Sequence, residues 1–327
     1  MILDLSADQR SFQQSIEHFA AARVAPALFA EAARAGLLAP PLGRGDAHVR
    51  MFLALEALAG GSAAFAAGVA AQAAVAEACR LAGGDCAGWA DALAGAQRFG
   101  AVSLDEGHGG VRIEGTAARG EVSLLAGPPG ADLFLVAATG ATGPAAVLIA
   151  AGAAVTKRSA GELAGFRGLD LSSLTLAGAP GRVLDPRAGV ILRLAMAALA
   201  VGVGTAALRE ALALVKRRPG VSEQSVQSVL ADSATELEAA RLLGWKAAAA
   251  LDVTDGGATT AVAMAKLAAG RAAQGAADRA FDVAGLDAFR RGALFERLVR
   301  DARATQILLG GTAVQRTTVA EGTLPRV

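Results

Sequence analysis

Between residues 99 and 183 the apolar residues of this chain come in short runs, at 100–104, 122–125, 133–138, 146–150 and 174–176, each closed off by Gly or Pro. On either side of that block they recur instead at helical spacing over long stretches. Short apolar runs between turn residues read as strands, and a 3.6-residue period reads as helix. The order helical, β, helical is uncommon. It predicts an α+β, mainly α protein with an N-terminal helical domain at 1–98, a β-barrel-like middle domain at 99–185 and a C-terminal four-helix bundle at 186–327.

Local signals sharpen these elements. Ser6 and Gln9 form a capping box ahead of Phe12, Ile16, Phe19 and Val24, with Pro26 beyond. The helical pattern continues at 51–58 and 65–81, broken by Gly60, Gly61, Gly83 and Gly84. The Asp185-Pro186 turn closes the strand-rich block. Helices are then expected at 190–217, 222–251, 259–284 and 295–308, with a last short one from Thr312. In the second of these, Val226, Val229, Leu237 and Leu242 fall near one face while Glu223, Asp232, Glu236 and Lys246 fall elsewhere.

Composition excludes several functions. Formal net charge is +1, from 31 basic and 30 acidic residues spread along the chain, so no basic stripe exists and nucleic acid is not an expected partner. Hydrophobic residues make up 54% but aromatic ones only 4%, so the core must come from Ala, Leu and Val in closely packed helices. Cys79 and Cys86 are expected to be two reduced, buried thiols. His18, His48 and His108 are scattered, and no metal site is expected. Asp4 and Asp8 stand where a signal peptide needs Lys or Arg, which places the chain in the cytoplasm. The uncharged run between Glu56 and Glu77 could span a bilayer by length, but it is mostly Ala, Gly and Ser. A buried helix hairpin is expected there, without membrane insertion.

An ordered series of motifs carries a family resemblance. QSVQSVLADSATELEAARLLGWKAA at 224–248, AMAKLA at 263–268 and ERLVRDAR at 296–303 resemble three segments of the acyl-CoA dehydrogenase bundle. Phe166-Arg167-Gly168-Leu169-Asp170 is similar to that family's GMRG-type turn, and the first helix to its opening LxxEQR pattern. The resemblance is strong over 192–316. It implies the three-domain fold expected above, FAD bound at a subunit interface, and removal of hydrogen from the α and β carbons of an acyl-CoA thioester. That reaction needs a carboxylate as base for the weakly acidic α proton.

Laid on the family's RDA…QIYEGT…QR segment, Arg300, Asp301, Ala302, Gln306, Ile307, Gly310, Gln315 and Arg316 match. The base does not: Leu309 stands at the position of the family's Glu, and Gly311 and Ala313 replace its Thr and Gln. No Asp or Glu lies between Asp185 and Glu210 to substitute from the helix after the β domain, and Glu210 reads as a surface carboxylate. The resemblance therefore implies no catalytic residue in this chain.

Cofactor contacts implied by the resemblance are partly kept. For the FAD of a neighbouring subunit they are Arg217 or Arg218, Gln224 and Gly285, together with Gly311 and Thr312; Gly310 is the substrate-side candidate. Asp282, Leu286 and Ala288 replace a Gln and two glycines of the family's Gln-x-x-Gly-Gly-x-Gly turn. Asp105-Glu106, Gly107 and Gly109-Gly110 are what remains of the Thr-Glu…Gly-Ser-Asp segment, and neither Trp89 nor Trp245 replaces the flavin-side Trp. A degenerate subunit is implied, working beside a homologous full-length acyl-CoA dehydrogenase on an acyl-CoA thioester, as in bacterial pairs that take bulky steroid side chains. FAD is then shared with or held mainly by the partner. The alternatives are a homo-oligomeric flavoenzyme of the same fold, either a dehydrogenase with a displaced base or a flavin monooxygenase, and a flavin-free acyl-CoA-binding or scaffold protein.

Overall fold

The computed structural model describes residues 5–17, 26–38, 45–104, 110–184, 189–217 and 224–324. Asp4, His18, Phe19, Val24, Asp105, Glu106, Gly107, His108, Gly109, Asp185, Pro186, Arg218 and Glu223, singled out above, lie outside the described residues.

Among the described residues five α-helices precede the strands: α1 (Ala7–Glu17), α2 (Pro26–Arg34), α3 (Ala47–Gly61), α4 (Ala63–Ala82) and α5 (Ala87–Ala94). The capping box forms as expected, with Gln9 N–H donating to Ser6 Oγ at 3.2 Å and Ser6 N–H donating to Gln9 Oε1 at 3.0 Å. Gly60 and Gly61 stay helical. The break falls one residue later at Ser62, whose Oγ accepts from Phe65 N–H at 3.2 Å and caps α4.

Seven strands follow among the described residues: β1 (Gly100–Ser103), β2 (Arg112–Glu114), β3 (Ala117–Gly127), β4 (Leu133–Gly140), β5 (Gly143–Ala150), β6 (Val155–Ser159) and β7 (Asp170–Leu184). Pairings run β1 to β4, β4 to β5, β5 to β7, β7 to β3 and β3 back to β1, which closes a barrel. Only β1 with β4, and the short contact of β2 with β4, are parallel. Val122, Leu125, Phe134, Val136, Val147 and Ile149 fill the interior. Sequence patterning misses β2 and β6, because both are polar and largely exposed and so lack an apolar run.

The bundle comprises α6 (Val190–Arg217), α7 (Gln224–Asp252), α8 (Ala258–Ala284) and α9 (Leu294–Ile307), with α10 (Thr312–Thr323) packed on α8. A helix that is apolar all round belongs inside, and α6 is buried along most of its length. Small residues let its neighbours approach. A Cβ on Gly202 would lie 2.2 Å from the Glu56 carbonyl of α3, and one on Gly244 of α7 would lie 2.3 Å from the Phe52 ring. One apolar core therefore runs from the N-terminal helices through α6 into the bundle. By length and composition Ala63–Ala82 and Val190–Arg217 could cross a membrane, but 78% and 89% of their most apolar windows are buried in the protein.

Cys79 is buried and its thiol is pushed up to about 12 by that burial, which keeps it protonated and inert. Cys86 departs from expectation: it is only half-buried, beside the short turn after α4. Trp89 and Trp245 are likewise only partly buried at the edge of the core, and Arg98 stacks over the Trp89 ring at 5.0 Å.

His48 fastens three helices. Asp252, at the end of α7, accepts the backbone N–H of His48 at 2.8 Å and of Val49 at 3.3 Å, so it caps α3 from across the fold. The same carboxylate takes the His48 ring Nδ1 at 2.8 Å, while Glu77 of α4 lies 3.7 Å from Nε2. Burial alone would lower the His48 pKa; the hydrogen bonds to Asp252 and Glu77, then their charges, raise it from 6.5 to about 9. A raised folded-state pKa gives stability that is complete below 6.5 and lost as pH climbs through about 9. Urea unfolding at pH 6 and pH 9.5 should differ by about 2–3 kcal/mol, and the difference should vanish in His48→Gln.

Candidate active site

The segment that should carry the base lies between α9 and α10. Lys266 of α8 is buried, and its ammonium donates to the carbonyls of Leu308 at 2.8 Å and Leu309 at 3.0 Å and also to that of Gly310. Gln315, in the first turn of α10, donates from Nε2 to the Gly310 carbonyl at 2.9 Å. Gln306 donates to the Gly270 carbonyl at 2.8 Å. Pulling three consecutive carbonyls toward one cation forces the backbone to coil, and Leu309 and Gly310 take φ of 55° and 82°. Leu309 pays strain for that conformation, since its Cβ crowds the carbonyl.

Two voids meet at Leu309, which is 4% exposed. The first, about 20 Å³, lies between α4, β1, β3 and α6, with Phe166, Leu192, Met196, Leu199 and Leu308 in its wall. It has room for about one water. The second is a groove of about 290 Å³ between β4, β5 and the start of α6. Arg193 is its one charged lining residue among those described; Ser103 Oγ, also in the wall, accepts from Ala137 N–H at 2.9 Å. No described carboxylate lines either void.

The nearest buried acid has a different task. Asp301 of α9 accepts the Phe166 backbone N–H at 2.7 Å, and Phe166 holds φ of 57°. Burial pushes the Asp301 pKa up, and the Phe166 hydrogen bond and the charge of Arg297 pull it back. Beside it, Arg300 pairs with Glu296 at 2.7 Å and reaches the Ala164 carbonyl; a Cβ on Gly165 would lie 2.5 Å from the Arg300 carbonyl. The barrel's Phe166-Arg167-Gly168 turn and the Arg300-Asp301 pair of α9 are thus two halves of one joint. Their spacing of 135 residues hides that contact from sequence reading. Glu210 pairs with neighbouring Arg209 at 3.6 Å and lines neither void.

The other candidates sit elsewhere. Arg217 ends α6, Gln224 opens α7 as an exposed residue, and Gly285 terminates α8 at φ of 62° with open space where a side chain would go. Leu214 packs on Ala284 and Ala288, which brings the last turns of α6 and α8 together. The residues from Lys266 to Gly285 follow α8 for roughly 28 Å at 1.5 Å per residue. Arg217 and Gly285 therefore lie at the opposite end of the bundle from Leu309, Gly310, Gly311 and Thr312. Near them Leu286 is 83% and Phe289 79% exposed, and Asp282 is exposed too.

Residues 190–324 match the sequence model "Acyl-CoA dehydrogenase, C-terminal domain". The bundle, α6 to α10, is thus similar to the C-terminal domain of acyl-CoA dehydrogenases. It is similar to 3-sulfinopropanoyl-CoA desulfinase of Paraburkholderia xenovorans, at 39% identity over 44% of this chain and 39% of that one. It is also similar to the mitochondrial short-chain specific acyl-CoA dehydrogenase of Bos taurus, at 38% identity over 39% of this chain and 32% of the bovine enzyme. The chain thus spans about two fifths or less of the curated relatives it matches. Among solved structures, butyryl-CoA dehydrogenase from Megasphaera elsdenii superposes with a TM-score of 0.87 at 21% identity, covering 99% of this chain and 100% of that one. That likeness extends the acyl-CoA dehydrogenase fold to the N-terminal helices and the barrel.

A flavin ring in an acyl-CoA dehydrogenase fold needs a slot beside the base segment and small residues where the backbone meets the pyrophosphate. Here side chains reduce the first void at Leu309 to about 20 Å³, too little for a flavin ring, and the groove of about 290 Å³ is the wider of the two spaces that meet there. At the far end stand Arg217, Gln224 and the open Gly285, with the exposed Asp282 carboxylate and Leu286 side chain beside them.

Proposed function

We propose that this chain is the base-less subunit of a heteromeric FAD-dependent acyl-CoA dehydrogenase. The observation that carries the proposal is Leu309: a buried aliphatic side chain in the segment held by Lys266, with no carboxylate in the wall of either adjoining void. Leucine cannot accept the α proton of a thioester. The base, and the flavin that takes the β hydride, then belong to a homologous full-length partner. This chain offers that partner the Arg217, Gln224 and Gly285 end of its bundle, with Leu286 and Phe289 as apolar surface for it to cover. Bulky acyl groups such as steroid side chains lie in the partner's pocket, since neither void at Leu309 has room for them, the larger being about 290 Å³.

Coexpression with a full-length homologue should yield a yellow complex that oxidises acyl-CoA thioesters with an artificial electron acceptor. The chain purified alone should be colourless and inactive. A yellow, active preparation of the chain alone, or a homo-oligomer that ignores the homologue, would overturn the proposal. The groove beside Leu309 favours a second reading, a flavin-free acyl-CoA-binding protein. A thermal shift of the colourless chain with CoA thioesters, together with no association with the homologue, supports that reading.

A further inference from the structure

We infer that the turn at 165–168 is a sprung latch: Asp301 of α9 holds Phe166 in a strained backbone conformation, and release of that hold lets the Phe166 ring leave the wall of the void at Leu309. Phe166 has φ of 57°, in the left-handed region where a Cβ crowds the residue's own carbonyl. Such strain persists only where the surroundings enforce it. Two things enforce it here. The Asp301 carboxylate accepts the Phe166 N–H at 2.7 Å, and the ring, 2% exposed, is packed into the apolar wall that it shares with Leu169, Leu308 and Leu309. Strain drives the ring outward, while the hydrogen bond and burial draw it in.

The turn has a fixed side and a free side. A Cβ on Gly165 would lie 2.5 Å from the Arg300 carbonyl, so that end is seated against α9. Gly168, at φ of 93°, has open space where a side chain would go, and it can absorb a backbone rotation without a clash. Leu169 N–H donates to the Phe166 carbonyl at 3.1 Å, which makes the four residues one unit. Through α9 that unit is tied to the N-terminal helices as well, because Arg297 Nη2 donates to the Gly61 carbonyl at the end of α3 at 3.3 Å. A small shift of α9 relative to the barrel therefore lengthens the Asp301 hydrogen bond, and the space at Leu309 widens by the volume that the ring vacates. The inference rests on neither reading of the preceding section, and it holds with or without a partner subunit.

The test is fluorine NMR of the full chain grown with 4-fluorophenylalanine, in which the signal of Phe166, one of 11 Phe, is assigned by its loss in Phe166→Leu. In the wild type that signal should show no shift between H₂O and D₂O, as a buried ring requires. Asp301→Ala should raise the solvent-exposed state of the ring about tenfold or more, the worth of a hydrogen bond to a charged acceptor. Asp301→Asn keeps an oxygen for the Phe166 N–H and should return the ring to its buried position. A ring that stays buried in a folded Asp301→Ala overturns the inference, and so does an Asn variant that behaves like the Ala one, since shape rather than the hydrogen bond would then set the effect. Hydrogen exchange of the wild type decides the matter even where a variant fails to fold. The Phe166 amide should exchange through a local opening that low urea leaves unchanged, while the amides of β4 exchange only with global unfolding. Exchange of the Phe166 amide by global unfolding alone overturns the latch.

Discussion

Lys266→Met is expected to lower stability by about 2–4 kcal/mol, because it strands the carbonyls of Leu308 and Leu309 without their buried donor and leaves that of Gly310 to Gln315 alone. The methionine fills similar volume, so the loss measures hydrogen bonding more than packing. Urea denaturation gives the magnitude. Hydrogen exchange should also show faster exchange through residues 308–311, with the barrel strands unchanged. A variant as stable as the wild type would mean that the segment is held by its apolar contacts alone.

Arg241→Ala is expected to cost more, about 3–5 kcal/mol, since it leaves the Glu56 carboxylate buried between α3 and α7 without a counter-charge. Arg241 Nε meets Glu56 Oε1 at 2.7 Å, its Nη2 donates to Thr205 Oγ1 at 3.0 Å, and Glu238 also pairs with it. Glu56 Oε2 is buried with no partner. Burial pushes the Glu56 pKa up, and the charge and hydrogen bond of Arg241 pull it back. A raised carboxyl favours folding while protonated and loses that advantage as pH rises through its folded-state value. Glu56→Gln should therefore cost less than about 1 kcal/mol at neutral pH, since Glu238 and Thr205 still hold the guanidinium. Comparable losses in Arg241→Ala and Glu56→Gln would show that packing, not the uncompensated charge, sets the effect.

These two cations show how far the sequence could be read. The long helices were legible because their apolar period repeats over many residues, and α6 fell at 190–217 as expected. The capping box at Ser6 and Gln9 was legible because its two hydrogen bonds are local. Strands β2 and β6 were not, for they pair through backbone groups that leave no apolar trace. Lys266 could be recognised within a motif, yet nothing in the motif says that the ammonium meets carbonyls more than forty positions away. Nor could patterning separate Asp301, which fastens the Phe166 turn, from an acid poised for proton transfer.

By itself the sequence determined the order of helices, strands and helices, the family-like segments in the bundle and the leucine at position 309. Those depend on side-chain chemistry and on periods that repeat within one element. Only the tertiary structure decided that a void of about 20 Å³ and a groove of about 290 Å³ meet at Leu309, that the two sets of cofactor candidates lie at opposite ends of the bundle, and that a buried lysine fixes the segment between α9 and α10. Volume, distance and burial arise where elements far apart in the chain meet, and no local pattern encodes that meeting.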